Sequence, residues 1–300
     1  MKKMLTFGII GITLLVLVGW GAAKSNPPAH AGRLQIIAAE NFWGSLAQQL
    51  GGDQVQVTSV VSDPNADPHE YETNTNTARA FAKANYVVLN GAGYDTWGNK
   101  LVVANPVAGR KTLTVATLLG KKDGDNPHFW YNPAYVNRVV VQMDRDLIAL
   151  DPSHEAYFET QLKTVQTKLE VYQSQVAALQ KQYAGTPVAA TEDIFAYLSD
   201  AAGLNLISPP AFIQAVAEGN DPPANSIATF QQQLTQSQPR VLVYNEQTVT
   251  PLTESIKKQA AEQRIPVVGI TETMQPPNST FEDWMDSQIT RLGQALQGVH

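Results

Sequence analysis

Ser153–Tyr183 reads SHEAYFETQLKTVQTKLEVYQSQVAALQKQY, and within it Leu162, Val165, Leu169, Tyr172, Val176, Leu179 and Tyr183 recur at alternating steps of three and four. That spacing puts them on one face of a single long helix. At 1.5 Å per residue such a helix is about 45 Å long, more than a typical domain helix. A two-stranded coiled coil would show the same seam. The flanking sequence favours a strut within one molecule, because strand-like and helix-like segments alternate on both sides of it. The expectation is two βα lobes with mostly parallel sheets joined by a single long helix, in a monomer.

Working outward, the lobe before the helix shows strands at Leu34–Ala39, Gln54–Val61 and Tyr86–Asn90. Helices fall at Trp43–Leu50, stopped by Gly51-Gly52, and at Thr77–Lys83. A further helix begins with Asn132 as N-cap and Pro133 in the first turn, and carries Val136, Val139, Val140, Met143, Leu147 and Leu150 on one face. After Gly185 the alternation resumes. Strands are expected at Pro187–Ala190, Val241–Tyr244 and Val267–Ile270, and helices at Ile194–Ala202, Ser226–Leu234, Pro251–Gln263 and Phe281–Leu296. The chain therefore divides into a leader with linker (1–31), an N-terminal lobe (32–152), the connecting helix (153–184) and a C-terminal lobe (185–300). The lobes share no close sequence repeat.

The leader has Lys2 and Lys3 ahead of the uncharged apolar run Met4–Ala23, followed by the linker Ser25-Asn26-Pro27-Pro28. This is the pattern of an export signal. Cleavage near Gly21–Ala23 or Ala29–Ala31, and retention as a membrane anchor, both fit, since the run approaches bilayer-spanning length. The expected location is outside the cytoplasm, at the cell surface or anchored to the membrane. The chain contains no cysteine, so stability comes from packing, no thiolate can hold metal, and no lipid can be attached through an N-terminal Cys. Removing residues 1–31 deletes Lys2, Lys3 and Lys24 and no acid, which moves the formal charge from −6 to −9. An acidic exported protein is a poor match for nucleic acid.

Two motifs stand out among the five histidines: DPHEYE (Asp67–Glu72) and NPHFW (Asn126–Trp130). Neutral imidazole is the commonest protein metal ligand, and the preceding proline restrains the backbone where a ligand must be held. A turn histidine bonded to backbone would also fit each motif alone. In the second lobe Glu192 and Glu272 each lie two residues beyond a strand, where ligands collect in parallel α/β units. Glu192 has the alternative role of a helix-start acid, Glu272 that of a solvated loop acid, and Asp193 competes with Glu192 for either role.

With these residues in place, the chain resembles the solute-binding proteins that deliver zinc or manganese to ABC importers. The resemblance rests on PHEYE, NPHFWYNP, the long helix after Asp151-Pro152, TEDIFAYLSDAAGL (Thr191–Leu204) and IPVVGITET (Ile265–Thr273), in that order. It implies two βα lobes on one rigid helix, with a divalent ion (Mn²⁺ or Zn²⁺) carried as the transported ligand in the cleft. It also implies a membrane permease as partner, no enzymatic activity, and His69, His128, Glu192 and Glu272 as the metal ligands. The chain departs from the pattern in lacking the lipid-bearing cysteine and a His-rich loop, and in having Glu rather than the commoner Asp at position 272. Two nitrogen and two carboxylate donors do not choose between zinc and manganese, although two potentially bidentate carboxylates tilt towards manganese. A secreted zinc hydrolase and a metal-independent adhesin are the alternative readings; HExxH is absent.

Overall fold

The computed structural model of the chain describes residues 32–63 and 71–298. The leader 1–31, with its export signal, and His69 of the first Pro-His motif lie outside the described residues. Among the described residues no helix is long and apolar enough to cross a membrane.

Among the described residues eight strands form two sheets. β1 (Leu34–Glu40), β2 (Val55–Val61), β3 (Tyr86–Leu89) and β4 (Lys111–Thr114) make the first, in the order β2-β1-β3-β4. β5 (Pro187–Ala190), β6 (Asn205–Leu206), β7 (Leu242–Asn245) and β8 (Val267–Ile270) make the second, in the order β6-β5-β7-β8. Every pairing is parallel. Parallel strands need crossover helices on the sheet faces, which is why the inner strand β3 is apolar throughout, YVVL, and buried at all four positions.

The helix Glu155–Tyr183 runs for 29 residues. Val165, Leu169, Tyr172, Val176 and Leu179 of the seam are buried, while Leu162 and Tyr183 are partly buried against the same core. One apolar cluster holds that seam, β1 and β3 residues such as Ile36 and Val88, and Val188, Val243 and Ile270 of the second sheet. Both sheets therefore pack on one continuous core.

Two other groups of elements had no counterpart in the sequence reading. In the first lobe these are the helix Thr96–Ala104, strand β4 and the short helix Val115–Leu119. In the second they are the two-residue β6 and the helix Pro210–Ala217. Pro210 occupies the first turn of its helix, where its missing N–H costs nothing. The Asn132–Pro133 start is as expected: the Asn132 side chain accepts from the N–H groups of Ala134 and Tyr135.

Candidate metal centre

His128 follows Asn126-Pro127 and precedes a short turn, Phe129–Tyr131, whose three aromatic side chains are all buried. Anchoring on that scale fixes the turn, and His128 is itself 1% exposed. The Trp130 ring meets the imidazole edge-on at 5.2 Å between centroids. Asn126 sets the ring's orientation, its Oδ1 accepting from His128 N–H at 2.9 Å and lying 2.8 Å from Nδ1. With Nδ1 engaged there, Nε2 faces the second lobe and lies 3.0 Å from Glu272 Oε1.

Glu272 is two residues beyond β8. Its strap is held from both sides: Tyr131 Oη donates to the Thr271 carbonyl at 2.7 Å, Thr271 N–H donates to Gln288 Oε1 at 2.9 Å, and Trp284 Nε1 donates to Thr271 Oγ1 at 2.8 Å.

Glu192 is two residues beyond β5 and 1% exposed. Its Oε2 accepts from Asn245 Nδ2, at the end of β7, at 3.2 Å, and its Oε1 is buried with no hydrogen-bond partner among the described residues. Such an oxygen carries a full desolvation cost unless a cation or proton meets it. Burial, followed by the nearby Glu272 charge, pushes the Glu192 carboxyl well above the ordinary carboxylate range.

The backbone at Glu192 is extended, so Glu192 and Asp193 point to opposite sides. Asp193 goes to the other edge of the imidazole, with Oδ1 3.3 Å from Nδ1. That oxygen makes no geometrically sound hydrogen bond; the Nδ1–H goes to Asn126, and Asp193 lies beside the same edge of the ring. Burial alone would depress the His128 pKa. The contacts with Asp193 and Glu272 outweigh it and raise the imidazole to about 10. In the ion-free state a proton on Nε2 therefore occupies the space between His128 and Glu272.

The structure thus brings His128 and Glu272 into contact and buries Glu192 nearby, while His69 lies outside the described residues. Among the described residues no three His, Asp or Glu side chains stand in metal-holding geometry. A cleft of about 640 Å³ opens on His128 and Asp193, walled by Ala92–Gly93, Gly124–Pro127 and the helix Pro210–Ala217. Asn126 spans the lobes at its edge, donating through Nδ2 to the Asp193 carbonyl at 2.7 Å and accepting from Tyr197 Oη at 3.0 Å.

Neither Asn126 nor Asn245, which bond to His128 and Glu192, is singled out by the sequence as a site candidate. Asn126 stands inside the quoted NPHFW motif; for Asn245 the only available signal was its place at a strand end.

A model of the family described as zinc-uptake complex component A, periplasmic, matches residues 36–295. The manganese ABC transporter substrate-binding lipoprotein PsaA of Streptococcus anginosus is 24% identical over 255 residues, which is 79% of this chain and 80% of the relative. Among solved structures, the periplasmic zinc-binding protein TroA of Treponema pallidum superposes with a TM-score of 0.74 at 14% identity, over 88% of this chain and 99% of that one. The solute-binding protein FpvC of Pseudomonas aeruginosa, in complex with Mn²⁺, gives 0.73 at 18%, over 89% and 100%. At these identities the two structures show the shared fold.

Proposed function

The chain belongs to the zinc-uptake complex component A family, and from that membership we propose that it is the extracytoplasmic solute-binding protein of an ABC importer. It captures a divalent transition metal, manganese or zinc, and hands it to the membrane permease. The ion is cargo, and no bond is made or broken in it. The observation that carries the reading is the meeting of His128 and Glu272 across the lobes, beside the buried, unpartnered Oε1 of Glu192.

In this reading His69, His128, Glu192 and Glu272 are the ligands. The chain divides functionally into the leader 1–31, lobes 32–152 and 185–300, and the connecting segment 153–184. The leader exports the chain and, in the absence of a lipid-bearing cysteine, either is cleaved or serves as the anchor itself.

Capture exchanges protons for the ion. The proton between His128 and Glu272 leaves, Nε2 becomes a neutral donor, and Glu192 loses its proton and gains a partner for Oε1. Asp193 and Asn126 hold the far edge of the ring, an arrangement that orients a ligating imidazole and raises its basicity. The carboxylates of Glu192 and Glu272 together balance the dipositive charge of the ion. Imidazole suits zinc and carboxylate oxygen suits manganese, while the Irving–Williams order makes zinc tight at such a site in vitro.

The test is elemental analysis of the full chain purified without added metal, followed by Mn²⁺ and Zn²⁺ competition. His69→Ala, His128→Ala, Glu192→Ala and Glu272→Ala are expected to bind far more weakly than the parent, and His154→Ala as tightly as it. Parent-like binding by His128→Ala would overturn the assignment.

A further inference from the structure

Tyr197 belongs to the second lobe, in the helix Ala196–Ala201, yet its side chain acts on the first. Its ring lies 5.9 Å from that of Phe129 and edge-on to that of Tyr135 at 5.4 Å between centroids, with Lys121 Nζ 5.6 Å from its centre. Packing seats the ring, and the hydroxyl makes a separate contact: Oη donates to the Asn126 carbonyl at 3.0 Å.

That carbonyl belongs to the Asn126–Pro127 peptide. A peptide unit is planar and the pyrrolidine ring fixes φ of Pro127, so holding this carbonyl sets the direction in which the chain enters His128. The next peptide plane is held from the first lobe, where Asn90 Nδ2 donates to the Pro127 carbonyl at 2.9 Å. Asn90 is fixed in turn by Asp95 Oδ2, which accepts from its N–H at 2.6 Å, and by Trp43 Nε1, which donates to its Oδ1 at 3.1 Å. The two peptide planes ahead of His128 are thus gripped from different lobes.

The segment that carries Tyr197 also holds the Asn126 side chain. The Asp193 carbonyl accepts from Ala196 N–H, in the turn leading to Tyr197, and from Asn126 Nδ2 at 2.7 Å. A carbonyl can only accept and a backbone N–H can only donate, so the Asn126 amide has one orientation: Nδ2 to Asp193, Oδ1 to His128 N–H at 2.9 Å. Oδ1 then faces Nδ1 as an acceptor at 2.8 Å, which places a proton on Nδ1 and leaves Nε2 as the nitrogen that can meet an ion.

We propose that Tyr197 is a positioning residue for metal capture: its hydroxyl, bonded across the lobes to the Asn126 carbonyl, fixes the Asn126–Pro127 peptide and the Asn126 amide, and through them the His128 ring. The inference rests on the reading of His128 as a ligand. It makes the aim of a first-lobe ligand depend on a second-lobe side chain that does not touch the ion.

The test measures Zn²⁺ and Mn²⁺ affinity in the full chain for Tyr197→Phe, Asn126→Ala and the double variant, with the thermal midpoint of each ion-free protein as a check on folding. Tyr197→Phe keeps the ring and loses only the hydroxyl. It is expected to bind about tenfold more weakly, the range usual for residues supporting a ligand from behind. The double variant is expected to bind no more weakly than Asn126→Ala alone, because residues acting through one contact do not add. Additive losses would overturn the proposal, as would parent-like affinity in Tyr197→Phe whatever its thermal midpoint. A parent that binds neither ion would instead sink the metal-capture reading. If Asn126→Ala does not fold, the Nδ1–H proton resonance of His128 in ion-free Tyr197→Phe decides: a displaced resonance supports the proposal and an unchanged one refutes it.

Discussion

Asn41 grips the backbone of Met274 with both ends of its amide: Oδ1 accepts from Met274 N–H at 2.9 Å and Nδ2 donates to the Met274 carbonyl at 3.1 Å. Asn41 begins the helix Asn41–Gly51 that follows β1, and Met274 lies two residues past Glu272. The double bond ties the Glu272 strap to the first lobe from below, as Tyr131 does at Thr271. The register between His128 and Glu272 is thus enforced by backbone contacts on either side of the carboxylate.

Asn41→Ala strips partners from two buried backbone groups, and leaving a buried polar group unpaired costs about 1–3 kcal/mol. The variant is expected to lose about 2 kcal/mol or more by denaturant titration and to bind metal more weakly, because the strap no longer presents Glu272 at a fixed distance. Metal affinity unchanged from the parent in a destabilised variant would show that the strap is positioned without Asn41.

Asn245→Ala tests the support behind Glu192. Asn245 Nδ2 reaches both Glu192 Oε2 and Thr248 Oγ1, and Oδ1 accepts from Gln247 N–H. Its loss frees the carboxylate to rotate, with an expected drop in Zn²⁺ or Mn²⁺ affinity of about tenfold. Calorimetric titration of the folded variant reads this directly, and an affinity equal to the parent's would remove Asn245 from the site.

Leu169→Ala tests the shared core. Leu169 is 1% exposed at the middle of the connecting helix, within the cluster that contains residues of both sheets. The cavity left behind is expected to cost about 2–5 kcal/mol. Because one core spans both lobes, parent and variant are expected to unfold in a single transition by circular dichroism and by intrinsic fluorescence alike. Two separated transitions would mean that the lobes fold independently.

The parts of this architecture that were legible in the sequence are those set by periodicity and punctuation. The 3-4 seam from Leu162 to Tyr183 predicts the long helix, and the Asn132-Pro133 start predicts a cap that forms as expected. Elements with little periodic content escaped. β6 has two residues, the helix Thr96–Ala104 buries only Trp97, Gly98 and Leu101, and its N-cap acid serves the Asn90 turn instead. Glu192 and Glu272 were legible as strand-end acids. The separate roles of Glu192 and Asp193 were not, since they depend on which way an extended backbone turns successive side chains.

The proton balance of capture supplies the last prediction. Without metal, His128 has its pKa raised to about 10 by Asp193 and Glu272 in spite of burial, and Glu192 is raised by burial and by Glu272. Both groups are therefore protonated at neutral pH, and each must give up a proton before Nε2 or Oε1 can face a cation. At pH 7 binding should release about two protons per ion, so the affinity rises by about two decades per pH unit. The slope should relax to about one once Glu192 has ionised and vanish above the folded pKa of His128. Folding stability follows with its own sign. A raised His128 stabilises the ion-free protein fully below the unfolded value of 6.5, and that contribution is lost as pH climbs towards about 10. The raised Glu192 acts in the same direction: its neutral form is the one the fold prefers, so its contribution declines once pH passes the unfolded value of 4.5. Ion-free protein should thus lose thermal stability on the alkaline side, and metal-loaded protein, whose two groups are already deprotonated and partnered, should lose much less. Calorimetry of Zn²⁺ binding in buffers of different ionisation enthalpy counts the protons; release near zero at pH 7 would mean that His128 is not exchanging its proton for the ion.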